Sequence, residues 1–303
     1  MSSHRVKAYF YLILVAAIWG MAGPIIKYTL GGIEPLPFLT IRFFISSLIA
    51  VPLLLFRKTN IFQKKHFKKA LIFSFLASTV ALGLLFAGIE RTTALNATFI
   101  TLIGPLLIAA AGVLYLNEHI TKREKVGILI AFIGSVFLIL QPLLEYGLNS
   151  GQLLGNILVF GYLLANTVSV VYAKQNLREH VDPLDLTSLM FIVGFVTLFP
   201  ITLFLYKGDF ITQISTLDTS HYLGILYMAL ISGSLAYYLW IKAQKTIEVG
   251  EAALFGYFKP IFATPLAIFW LGESFTPMFI FVTIIIITGV AVAEYKPGIK
   301  AKH

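Results

Sequence analysis

Apolar residues in this chain do not alternate with polar ones at a strand or amphipathic-helix period. They run in long blocks divided by short polar segments that hold most of the lysine and arginine. At 1.5 Å per residue, about 20 helical residues cross a hydrocarbon core of about 30 Å. In lipid, such an unbroken apolar run satisfies its own backbone only as a helix. The blocks predict ten spans, at residues 8–30, 36–56, 69–89, 94–116, 124–142, 152–174, 185–206, 221–242, 249–271 and 276–294. The connections between them leave no room for a soluble domain. The first block follows a brief basic start, as a signal peptide would, but its length and the spans behind it read as an uncleaved anchor.

Counted on alternate sides of these spans, the basic residues divide unevenly. With the amino terminus in the cytoplasm, eighteen lysines and arginines fall on the inner side and two, Arg91 and Lys207, on the outer. Lys27, Arg42 and Lys259 remain inside spans. A missed or extra span would invert every later loop, so the asymmetry supports ten helices with both termini cytoplasmic.

The chain also repeats itself. A shift of 155 positions aligns residues 94–138 with 249–293 without a gap and gives seven identities in 45 positions, among them Pro105 with Pro260 and Glu118 with Glu273. A mid-span proline followed thirteen residues later by a glutamate at the span end is not what apolar composition alone reproduces. Ten spans duplicated as five plus five make an inverted repeat, because an odd number of crossings returns the second unit from the opposite side. The expected fold is all-α and integral to the membrane. A first five-helix repeat occupies residues 1–145 and a second residues 146–303, with the junction in the 141–151 loop.

Composition narrows the function. The chain is 58% hydrophobic and 12% charged over 303 residues, against about 25% charged in soluble domains. The net charge of +9 is therefore read as topology, not nucleic-acid binding. There is no cysteine, and five of the six histidines fall outside the spans, with His221 at the outer end of one. No glycine-rich turn ending in Lys and Ser or Thr supplies a phosphate loop. None of the fourteen acids lies deep in a span. No catalytic residue, metal site or cofactor is expected, and an intramembrane lipid-modifying enzyme loses its convergent acids and histidines.

What remains is a lysine without an acid. Lys259 stands beside Pro260 near the middle of the ninth span, where insertion costs about 3 kcal/mol, and its nearest acid on that helix, Glu251, is eight residues away. The residue reads as a fixed positive charge for an anionic group of a substrate, with a snorkelling or neutral lysine as the plainer alternative. Pro105 and Pro260 are expected to free the carbonyls of Thr101 and Gly256 for a ligand, water or hinge motion, and Pro24 that of Gly20. Trp19, Tyr162, Asn166, Tyr237 and Tyr257 are the favoured substrate contacts, with Thr79, Ser232 and Ser234 also at mid-depth. Tyr162 and Asn166, four apart, share a face. Lys27, Arg42 and Glu90 form a possible charge gate near the outer side. Glu118 and Glu273 read as caps of the helices that follow them, or as gating salt bridges. The bland fifth and tenth spans suit lipid or a homodimer contact.

Trp19, Gly20 and Lys27, Arg42, the block PLLIAAAGVLYLNEHIT and its second copy KPIFATPLAIFWLGESFT resemble the EamA family of the drug/metabolite transporter superfamily. The resemblance covers nearly the whole chain. It implies a ten-helix secondary transporter of the cell membrane that moves small polar metabolites, amino acids or other carboxylates, often outward, through a central cavity. The fourth and ninth helices would line that cavity, and the fifth and tenth would lie at the periphery. The alternative is a proton-coupled exporter of cationic or amphipathic drugs or amines.

Overall fold

A computed structural model describes residues 3–116, 122–146 and 151–294, and no strand occurs among them. Glu118 therefore lies outside the described residues. The main helices are α1 (Ser3–Thr29), α2 (Pro35–Phe56), α3 (Lys65–Arg91), α4 (Ala94–Leu116), α5 (Lys122–Tyr146), α6 (Gly151–Arg178), α7 (Pro183–Tyr206), α8 (Thr219–Gln244), α9 (Val249–Phe269) and α10 (Pro277–Glu294). Among the described residues the first nine are long and apolar enough to cross a bilayer, whereas α10 carries a shorter apolar stretch, Pro277–Val292.

Several ends differ from the expected ones. α1, α3 and α6 extend into basic segments, because a helix continues past the apolar core where Arg5, Lys65, Lys68 and Arg178 reach water. α5 continues through Pro142 to Tyr146, so the anticipated junction loop is shorter. A short helix, Asp209–Ser215, lies between α7 and α8. It is apolar enough to form a turn but far too short to register as a span.

Four helices break their ladders at internal positions. α4 tightens to a 3-10 turn at Thr101–Ile103 and α9 at Leu254–Phe258. Each turn ends just before the residue that precedes Pro105 or Pro260. This corrects the expected free carbonyls: Gly104 N–H donates to the Thr101 oxygen and Lys259 N–H to that of Gly256. The lost bond to proline is replaced by a shorter-range one from its neighbour. Pro24, likewise, sits inside a continuous α1.

α3 and α8 instead widen to π-helical turns, at Phe75–Ala81 and Tyr227–Leu235. Such turns re-aim carbonyls away from the regular ladder. In α8 three of them accept side chains from other helices: Met228 from Arg42 Nε at 2.8 Å, Ala229 from Ser46 Oγ at 3.0 Å, and Ser232 from Trp19 Nε1 at 3.0 Å.

The ends of α3 and α8 are closed in the same manner. Lys27 of α1 donates to the carbonyls of Ile89 and Glu90 at 3.0 and 2.9 Å. Lys174 of α6 donates to those of Gln244 and Ile247 at 2.7 and 2.6 Å. A cation suits the negative end of a helix dipole.

α5 and α10 pack mainly on each other, away from the centre. Gly134 and Gly289 permit this crossing: a Cβ on Gly289 would stand 2.4 Å from the Ala131 nitrogen and 2.8 Å from the Gly127 oxygen. Their outward residues, among them Leu129, Phe132, Ile284 and Ile287, are exposed.

Candidate functional site

A cavity of about 120 Å³ opens between α1, α2, α3, α4, α6, α8 and α9. Of the thirty residues lining it, two are charged, Arg42 and Lys259, and none is a carboxylate.

Lys259 reaches the cavity because its backbone is pressed against α1. A Cβ on Gly20 would lie 2.7 Å from the Lys259 carbonyl oxygen, so only glycine admits this approach. The Lys259 ammonium stands 5.3 Å from the centre of the Trp19 ring, a cation–π distance. Trp19 is fixed from three sides: its indole N–H is bound to Ser232, and its ring meets Tyr237 at 5.0 Å and Trp240 at 5.4 Å. No described carboxylate pairs with Lys259. The acid nearest in sequence, Glu251, is held by Arg5 at 2.7 Å and by the Tyr9 hydroxyl.

Arg42 lines the same cavity at 1% exposure. Its guanidinium carbon sits 5.5 Å from the Phe43 ring and 5.7 Å from that of Phe86. Beyond the bond to Met228, its Nη1 is buried with no partner among the described residues. Tyr162 and Asn166 of α6 and Tyr237 of α8 line the same space, which brings together five of the favoured contacts with Ser232, also expected at mid-depth, and with Thr101, and adds Trp240. Pro105 joins them. Its ring is where α4 meets α9, 3.2 Å from a Cβ built on Gly256.

Other expectations are corrected. Tyr257 does not line the cavity; it packs, partly buried, against the main apolar core. Lys27, Arg42 and Glu90 form no gate of side-chain charges. Lys27 takes the backbone oxygen of Glu90, while the Glu90 carboxylate pairs with Arg91 at 2.6 Å. The Glu34 carboxylate holds Tyr206 and Gln213. Thr79 bonds Thr197 at 2.6 Å and Ser234 the carbonyl of Ala229; both serve packing.

Glu273 does cap a helix, but not the next one. Its two oxygens accept from the Ala94 and Leu95 amides of α4 at 2.7 and 2.8 Å. The partner lies 179 residues away in sequence, so local spacing carried no signal for it.

Comparison with known proteins identifies the family. The chain is 24% identical over 296 residues to an uncharacterized transporter of Bacillus subtilis, YyaM, covering 96% of this chain and 94% of that one. It is 25% identical over 292 residues, and 92% of each chain, to a Salmonella typhimurium protein named a probable amino-acid metabolite efflux pump. A solved crystal structure shares the fold with a TM-score of 0.65 over 97% of both chains at 15% identity. The EamA-like transporter family matches twice, over residues 6–140 and 153–295, so the chain belongs to that family and is a multi-pass membrane transporter.

Proposed function

We propose that the protein is a secondary transporter that moves a small carboxylate-bearing organic solute across the cell membrane by alternating access, in the export direction. Two inverted five-helix repeats, residues 1–145 and 146–303 with both termini in the cytoplasm, rock about the cavity. The doubled family match, the prolines preceded by 3-10 turns in α4 and α9, the π turns in α3 and α8, and the lysine caps on the ends of α3 and α8 all support this division.

The observation that carries the substrate class is the Lys259 ammonium over Trp19, in a cavity with no carboxylate in its lining. A solute carboxylate there completes a charge that is otherwise costly to bury. Two cations at one cavity disfavour amines and cationic drugs by direct repulsion. The name of the Salmonella relative favours amino-acid metabolites and outward movement. The exposed faces of α5 and α10 are left for lipid or a second copy.

The test is counterflow in proteoliposomes, with a panel of labelled amino acids and carboxylates. A charge-assisted contact is worth about 1.5–3 kcal/mol, so Lys259→Met should weaken carboxylate transport by roughly 10- to 100-fold. Lys259→Arg should retain part of it. Wild-type carboxylate transport by Lys259→Met would remove this assignment.

A further inference from the structure

We infer that the cavity has a second anion subsite at Arg42, and that the substrate carries two anionic groups, one at each end of a short skeleton. The inference rests on the reading of Lys259 above and adds to it a residue on another helix.

Arg42 is more than a helix tether. Its bond to Met228 uses one of five guanidinium donors, and the two aromatic rings beside it cover its faces without accepting a directed hydrogen bond. Nη1 is buried with no partner among the described residues. A buried, unmatched donor on a charged group costs more than a neutral one. Such a group persists when something else completes it, and a planar guanidinium is shaped to receive a carboxylate or phosphate in two parallel bonds.

The neighbours of Arg42 suit an anion. Tyr162 and Tyr237 line the cavity with it, and their hydroxyls can donate to the same oxygens. The lining offers no carboxylate to compete.

The two cations have different surroundings. Lys259 lies over Trp19, whose ring abuts Tyr237, whereas the Arg42 guanidinium lies against Phe43 and Phe86. A single carboxylate at Lys259 leaves Arg42 unmatched, and one at Arg42 leaves Lys259 unmatched. A solute with an anionic group at each end satisfies both, with its carbon chain along the Trp19 and Tyr237 rings. Dicarboxylates fit this description, acidic amino acids among them, and so do carboxylates bearing a phosphate.

The experiment uses the purified full-length protein in lipid nanodiscs, reading ligand binding by calorimetry. The probes are straight-chain dicarboxylates of three to seven carbons, the monomethyl ester of each, the matching monocarboxylates, and phosphorylated hydroxy acids. The second charge-assisted contact predicts that the best dicarboxylate binds about tenfold or more tightly than its own monoester, with an optimum in chain length. Arg42→Gln should lower dicarboxylate affinity by about tenfold or more and so erase that ratio.

The wild-type ratio does not depend on a variant that also loses the Met228 tether. Tyr162→Phe, which removes a hydroxyl and no charge, should reduce the ratio without abolishing it. Equal binding of diacid and monoester by the wild type, or an undiminished ratio in folded Arg42→Gln, overturns the second subsite and leaves Lys259 standing. Failure of every carboxylate to bind overturns both. A preference for the phosphorylated acids keeps the dianion and assigns its second group as phosphate.

Discussion

Replacing Glu273 with alanine should loosen the bundle at the end of α4 more than any other single carboxylate change outside the spans. The carboxylate bonds the first two amides of α4, and both residues are buried, Ala94 at 0% and Leu95 at 2% exposure. Thr93 already serves the Asn96 amide, so no local group can substitute. Two buried amides left without acceptors cost about 1–3 kcal/mol each. Because Glu273 itself is only half-buried, water recovers part of this, and about 2–4 kcal/mol is the expected loss. At about 2–4 °C per kcal/mol for a chain of this size, the melting temperature in detergent should fall by roughly 4–16 °C.

Glu273→Gln keeps one acceptor and should fall by less than half as much. Burial raises the Glu273 carboxyl above the usual glutamate range, against the lowering effect of the Leu95 and Ala94 amides and of Lys27. A raised carboxyl favours the protonated fold, so its contribution is full below the ordinary glutamate pKa and is lost as pH rises through the folded value. Wild-type melting should therefore decline over that interval, and Glu273→Gln should lack the step. An unchanged melting temperature in Glu273→Ala would refute the cap.

Gly289→Ala should destabilise by about 1–3 kcal/mol, the usual cost of overpacking, because the new methyl meets Ala131 and Gly127 backbone rather than a movable side chain. Gly83→Ala, with nothing within 4 Å, is the control and should be neutral or slightly stabilising in the same melting assay. Glu179 binds Lys69 at 2.6 Å and His66 at 2.9 Å. Its carboxyl is pulled below the usual range chiefly by the Lys69 bond, so its stabilisation is present above the ordinary glutamate pKa and lost as pH falls through the folded one. Acid titration of the melting temperature should show this loss in the wild type and a shallower one in Glu179→Gln.

The helices were legible because lipid imposes a length and a backbone rule that no tertiary contact can override. Apolar blocks, basic flanks and a repeated proline-to-glutamate spacing sufficed to place them and to name the family they resemble. Lys259 stood out for the same reason: a charge in an apolar run is visible in one dimension. Arg42 was visible too, but it was assigned to a charge gate with Lys27 and Glu90 near the outer side. Only packing decided that its bond goes to Met228, on a π turn of a helix 186 residues away. The turns themselves were hidden. Each is a choice between nearly equal hydrogen-bond registers, settled by which neighbouring side chains are present to accept or donate. Glu273 shows the same limit, since its cap joins residues 179 apart in sequence that meet only in the folded bundle. The chain thus fixes by itself which segments enter the membrane and which charges lie within it. The partners of those charges, and the cavity between them, belong to the assembled bundle.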